Sequence, residues 1–202
     1  MHLSKVMISG STCRNPYEIH RALWRLFPED ADAQRDFLFR VEHTGQQSAE
    51  VLLQSIREPL PSLSKEVRLV ACKEYSLALR AGQRLRFLLV ANPVKTIADE
   101  HGRLKGDGQE KKCRVPLLRD ADRQTWLTRK LNDIALVEIV EVGKRPVLNF
   151  HKMREKRIGK IQPVVYKGLL QVLDQDEFRN QVTKGIGPAK AFGCGLLSLA
   201  RI

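Results

Sequence analysis

The order in which strand-like and helix-like segments follow one another constrains the fold of this chain more than any single motif. Leu3 to Ser9 reads as a strand, with Leu3, Val6 and Ile8 apolar. Asn15-Pro16 then marks a helix start, with Asn as the cap and Pro at the first position. That helix is predicted to run to about Phe27 and to stop before Pro28. Phe37 to Glu42 sets Phe37, Phe39 and Val41 against Leu38 and Arg40, the period of a strand. Glu50 to Ile56 reads as another. Beyond Pro59 and Pro61 a short helical stretch is expected through Val70, then a fourth strand over Glu74 to Leu79. The series is β-α-β-β-α-β, the ferredoxin-like order.

The second half repeats that order with additions. Leu85 to Ala91 is a strand ended by Asn92-Pro93, and a polar, glycine-containing stretch covers Ala98 to Arg114. Pro116 to Leu131 is helical, Ala135 to Val142 and Val147 to His151 are extended, and Ile161 to Leu173 is one long strand. Asp174 caps a helix to about Thr183, and Leu196 to Ala200 closes the series. A chain of 202 residues accommodates two such units. The expected fold is therefore α+β, with tandem ferredoxin-like (RRM-like) domains over residues 1–82 and 83–202. Sequence self-similarity between the halves is weak, so the repeat rests on element order.

The segment before the last strand is the densest motif. Gly185-Ile186-Gly187 and Gly193-Cys194-Gly195 bracket a basic insert containing Lys190. Glycines so placed let the backbone approach a partner closely and adopt positive φ. With Lys184 and Lys190 they suit a phosphate-bearing ligand, although the same pattern also serves a plain surface turn. The spacing is neither that of a dinucleotide fingerprint nor that of a P-loop, which argues against a nucleotide cofactor.

Charge narrows the partner. The formal net charge is +12 and the pI is about 9.8, as for proteins that meet a polyanion, nucleic acid above all. Lys144 to Lys160 holds seven Lys or Arg against Glu155 alone, and Arg103 to Lys130 holds nine against four acids. The run of seven against one repels itself without a counter-charge and points to phosphate. Aromatics make up only 6%, so recognition by shape and phosphate suits the chain better than base stacking along a sheet. No stretch approaches a membrane span and the first residues do not read as a signal peptide, so a cytoplasmic protein is expected. Cys13, Cys72, Cys113 and Cys194 are widely separated in sequence, without zinc-ligand spacing, and are expected to be free thiols.

On the first helix, Ile19, Leu23, Leu26 and Phe27 share a core stripe, Glu18, Arg21 and Arg25 lie opposite, and Tyr17, His20 and Trp24 fall on the boundary. Tyr17 and His20 are three apart and so neighbours. Two readings stand for this trio. It finishes the rim of the core, or its imidazole does acid–base work on RNA, for which histidine is the usual group. The clustered acids of a two-metal nuclease are missing. A nuclease of this composition is expected to need no metal ion or other cofactor and to use the RNA 2′-hydroxyl as nucleophile.

These residues resemble the CasE family of CRISPR-associated endoribonucleases over essentially the whole chain. The resemblance is carried by Leu3-Ser4-Lys5-Val6, Tyr17-Glu18-Ile19-His20 with Leu23-Trp24, and Phe37-Leu38-Phe39. It continues through Val51 to Ser55, Asn92-Pro93-Val94-Lys95-Thr96, Cys113-Arg114-Val115-Pro116-Leu117, Gly159-Lys160-Ile161-Gln162 and the glycine tail. It implies cutting of the CRISPR repeat hairpin at the 3′ base of its stem, leaving a 2′,3′-cyclic phosphate and a 5′-hydroxyl. It also implies retention of the product RNA and assembly with other subunits of the Cascade complex. By position in the motif, His20 is the catalytic histidine, Tyr17 helps position the reacting groups, and Lys160 contacts a phosphate near the cut or stabilises its charge. Lys152, Lys156 and Arg157 are expected to grip the stem. Lys95, Lys111, Lys112 and Arg114 are further expected RNA contacts, and Gly187, Lys190 and Gly193 are expected to line the RNA path. A non-catalytic RNA-binding subunit of a ribonucleoprotein, with the same fold, is the alternative.

Overall fold

The computed structural model describes residues 1–28, 34–98, 102, 104, 106–109, 112–152 and 157–202. The first unit opens with β1 (His2–Ser9), a 3-10 turn over Gly10–Arg14 and α1 (Pro16–Leu23), which tightens into a 3-10 turn over Trp24–Leu26. β2 (Phe37–Thr44), β3 (Ser48–Ser55) and β4 (Val67–Glu74) follow. They pair in the order β2-β3-β1-β4, every neighbour antiparallel. Alternate residues of β1, Val6 and Ile8, meet Val51 and Leu53 of β3 and Ile19, Leu23 and Leu26 under α1 in one core. Period-two alternation on the strands and the three-to-four spacing on the helix bring these apolar faces together.

The second unit contains β5 (Arg84–Ala91), β6 (Val94–Ala98), β7 (Lys112–Pro116), α2 (Asp120–Leu131), β8 (Ala135–Lys144), β9 (Leu148–Lys152) and β10 (Arg157–Ile161). It ends with β11 (Val164–Val172), α3 (Gln175–Lys184) and β12 (Leu197–Arg201). Its main sheet runs β12-β5-β11-β8, again antiparallel and in ferredoxin-like order. β6-β7 and β9-β10 are separate two-stranded ribbons inserted into that frame. Phe87, Leu89, Trp126, Leu127, Tyr166 and Phe178 fill its core. The Asp174 carboxylate accepts from the backbone N–H groups of Asp176 and Glu177, the expected cap of α3.

Several expectations are corrected. The helix expected before Val70 does not form: residues 56–66 are coil and turn. Pro59 and Pro61 there lack the donors a helix needs, and Ser62 and Ser64 bond the local backbone instead. The fourth strand lies at Val67–Glu74 rather than at Glu74 to Leu79. Tyr75, Leu77 and Leu79 alternate like a strand because they pack into the second core. Within the stretch read as polar loop, β7 pairs with β6. The helix expected from Pro116 starts at Asp120, and Pro163 divides the long expected strand into β10 and β11.

The units meet through the outer face of β2. The buried Arg40 pairs with Glu42 at 2.7 Å and donates to the Ser198 hydroxyl at 2.9 Å. The Gln54 amide donates to the Val182 carbonyl at 3.1 Å. The glycine loop, residues 185–196, seats against Leu38 and Phe39 of the same strand. Cys13, Cys72 and Cys194 are free thiols. Among the described residues no helix is long and apolar enough to cross a membrane.

Candidate RNA-processing site

α1 holds the boundary trio in place. Pro16 occupies its first turn, and the Asn15 side-chain oxygen accepts from the Tyr17 backbone N–H at 3.1 Å. One turn on, the His20 ring lies among aromatics: Phe37 at 5.6 Å between centroids, Phe39 at 6.3 Å and Trp24 edge-on at 6.3 Å. Its Nε2 is buried and, among the described residues, has no hydrogen-bond partner. Burial, with the positive charge of Arg35 added, pulls its pKa down to about 4. The imidazole is therefore neutral at physiological pH and keeps a free lone pair, the state a general base needs.

Two cations share this corner. Arg35 reaches it from the segment before β2, and its Nε is buried without a partner among the described residues. Burial lowers its pKa from the usual arginine range. The next residue, Asp36, takes both arms of the Arg57 guanidinium, at 2.7 and 3.0 Å, which fixes the backbone beside Arg35. Lys190 is held by its ammonium donating to the Lys184 carbonyl. Burial, then the charges of Arg35 and Lys130, lower its pKa. The turn Lys190–Phe192 packs against α1, and the Phe192 ring lies 6.4 Å from that of Tyr17. Gly193 closes the turn at φ +81°, with Phe39 so near that a Cβ would sit 3.2 Å from its ring.

The predicted RNA contacts fall into groups. Lys95, Arg114 and Gly187 come together with Arg129 and Lys130 in a basic recess of about 590 Å³. Through Arg114 that recess continues into one of about 360 Å³ which holds Lys160. Lys160 thus stands with Arg114. Lys112 is exposed on β7. Lys152 and Arg157 are paired partners on the β9-β10 ribbon. Lys111 and Lys156 lie outside the described residues. Gly187, at φ +77°, lets the chain pass against the Trp126 indole. Ile19, Val41, Leu148, Phe192 and Arg145 line a further cleft of about 360 Å³.

Sequence reasoning missed Arg35 and Phe192, and counted Arg129 and Lys130 only as part of a basic run. Arg35 sits in a polar stretch without periodicity. Arg129 and Lys130 end α2, where a cation is expected for the helix dipole alone. The position of Phe192 within the glycine insert was the one available signal.

The chain matches the family described as "CRISPR associated protein" over residues 1–201. It is 43% identical over 202 residues to the CRISPR system Cascade subunit CasE of Escherichia coli strain K12, covering 99% of each chain. The crystal structure of the CRISPR-associated protein Cas6e from Escherichia coli K-12 superposes with a TM-score of 0.85 at 40% identity, covering 100% of both. The CRISPR endoribonuclease Cse3 bound to a 19-nucleotide RNA superposes with a TM-score of 0.79 at 30% identity, over 99% of this chain and 100% of that one.

Proposed function

The chain belongs to the CRISPR-associated CasE family, and from that membership we propose that it is the endoribonuclease that cuts CRISPR repeat RNA and stays with the product in Cascade. Its relatives support this coarse reading: one is named as a Cascade subunit, another as an endoribonuclease bound to RNA. The finer reading is cleavage at the 3′ base of the repeat hairpin without a metal ion. The neutral imidazole of His20 takes the proton of the 2′-hydroxyl. The 2′-oxygen forms a bond to the adjacent phosphorus while the bond from phosphorus to the 5′-oxygen breaks. The leaving oxygen takes a proton, so the products are a 2′,3′-cyclic phosphate and a 5′-hydroxyl.

One observation carries this reading: His20 Nε2 is buried and unpartnered, on an imidazole held neutral beside Arg35 and Lys190. An unmade hydrogen bond in such a place costs stability, and a substrate hydroxyl would supply it. Arg35 and Lys190 would meet the charge that grows on the phosphate. Tyr17 would position the reacting nucleotide. Lys160 would contact a phosphate near the cut or stabilise its charge, and Arg114, Lys95, Lys112, Lys152 and Arg157, with Lys111 and Lys156, would hold the RNA by its phosphates. Gly187 and Gly193 would line the path. Residues 1–82 would carry His20, Tyr17 and Arg35, and residues 83–202 Lys190 and the grip on the stem, in the cytoplasm, where the transcript is made.

The test is a labelled repeat hairpin in excess EDTA, beside a copy with a 2′-deoxynucleotide before the cut. Cutting of the first alone supports attack by the 2′-hydroxyl without metal. Tight binding with no cutting of either would favour a non-catalytic RNA-binding subunit.

A further inference from the structure

A second cluster of chemically capable side chains lies at the opening of β1. The Cα partners of His2 are Ser55 on β3 and Glu74 on β4. Cys72 on β4 stands opposite Ser4. Since side chains alternate along a strand, His2, Ser4 and Cys72 share one face. This is the face that carries Val6 and Ile8 into the core. At this end the coil of residues 56–66 takes the place of the second helix of a ferredoxin-like unit. The Ser55 hydroxyl donates to the Arg57 carbonyl at 2.6 Å, which turns the chain and brings Glu58 to His2.

One ligand atom each from His2, Glu58 and Cys72 lie within 4.8 Å of one another, the one such group of three among the described residues. Cys72 Sγ is 3.9 Å from His2 Nδ1. Beside them Ser4 is 2% exposed, and its hydroxyl oxygen has no partner.

We propose that His2, Glu58 and Cys72 bind one Zn²⁺-class ion, with water in a fourth position. Metal–sulfur bonds of about 2.3 Å and metal–nitrogen or –oxygen bonds of about 2.0–2.1 Å put donors of a tetrahedral site roughly 3.3–3.8 Å apart. The His2–Cys72 pair stands at about that distance already. Glu58, exposed and on coil, has the freedom to close the rest. A thiolate beside an imidazole selects a borderline or soft ion over Mg²⁺ or Ca²⁺. Because the donors stand at positions 2, 58 and 72, no short spacing in the sequence announces them. The ion clamps three chain segments where the helix is missing. Ser55 of β3 stands between His2 and Phe37, on which the His20 ring rests.

The experiment is a Co²⁺ titration of the tag-free chain, read by absorption, then Zn²⁺ competition and thermal unfolding. One equivalent of Co²⁺ should give thiolate charge-transfer and tetrahedral bands that Zn²⁺ abolishes, and Zn²⁺ should raise the Tm. Cys72→Ser and His2→Ala should remove the bands, Glu58→Gln should weaken binding about tenfold or more, and Cys113→Ser should change nothing. Retained hairpin binding shows that each variant folds. No Co²⁺ bands in the wild type, or bands that survive Cys72→Ser and His2→Ala, would overturn the site. Because absorption and Tm are the readouts, the result stands or falls apart from the RNA-cutting reading.

Discussion

Phe150 and Phe192 meet with ring centroids 4.3 Å apart. Through that contact the β9-β10 ribbon touches the glycine loop, and the loop touches Tyr17 on the helix that carries His20. A segment rich in cations is thereby fastened to the corner where the proton transfer is proposed.

Phe192→Ala removes two ring contacts, each worth about 0.5–1.5 kcal/mol. It is expected to lower the urea midpoint modestly. Single-turnover cleavage should slow more than hairpin binding weakens, because the loss falls on the Tyr17 side of the site.

His20→Ala should cut slower by about 10²–10⁴-fold, the usual contribution of a general base. A gel shift with the same hairpin should show affinity close to wild type. Cutting at wild-type rate would remove His20 from the mechanism.

The depressed pKa of His20 also sets a stability signature. Unfolded, the group titrates near 6.5; folded, near 4. Between those values the unfolded chain binds the extra proton, so stability falls as pH drops from about 6.5 to about 4, by at most ~3 kcal/mol. His20→Gln should lack that part of the decline when urea midpoints are compared across the range. Asp36, held below the usual carboxylate range by hydrogen bonds from Arg57, acts with the same sign but only under its ordinary value of 3.8. In the free enzyme, kcat/KM should fall only near pH 4 if His20 is the base.

Lys95, Arg114, Arg129 and Lys130 share one recess. Replacing any of them with Ala should reduce the slope of log affinity against log salt by about 0.7–1 for each phosphate left without its cation. Arg35→Ala should leave that slope nearly unchanged and lower the cleavage rate at saturating enzyme. Rate and slope together separate grip from chemistry.

Gly187→Ala should destabilise by about 2 kcal/mol or more. Positive φ alone costs a residue with a Cβ about 1–2 kcal/mol, and here that Cβ would lie 2.7 Å from the Trp126 ring. Gly10 has the same φ of +77° but open space around it. Gly10→Ala should therefore show the backbone cost alone against wild type, and the difference in Tm between the two variants should report the clash with Trp126.

Element order was legible because each unit's strands and helices bury one periodic face, as Val6 and Ile8 do on β1 and Leu127 and Leu131 on α2. What misled was apolar alternation put to another use, in Tyr75, Leu77 and Leu79, and a weak helical pattern that Pro59 and Pro61 defeat. His20 and Tyr17 were visible on the helix wheel. Arg35 was not, since its role comes from the turn of chain that Asp36 and Arg57 fix, and an ion pair 21 residues apart leaves no periodic trace. Lys95, Arg114 and Lys130 carry the right chemistry at scattered positions, and only the fold gathers them.

The glycine loop has one more consequence. Residues 185–196 hang from the second sheet yet wall the histidine of the first. A molecule with either unit folded alone would have a helix without its wall, or a wall without its helix. Such contacts across most of the chain form late. Nuclease competence then behaves as a logical AND of two folding events, and half-folded molecules in a cell would be silent rather than indiscriminate.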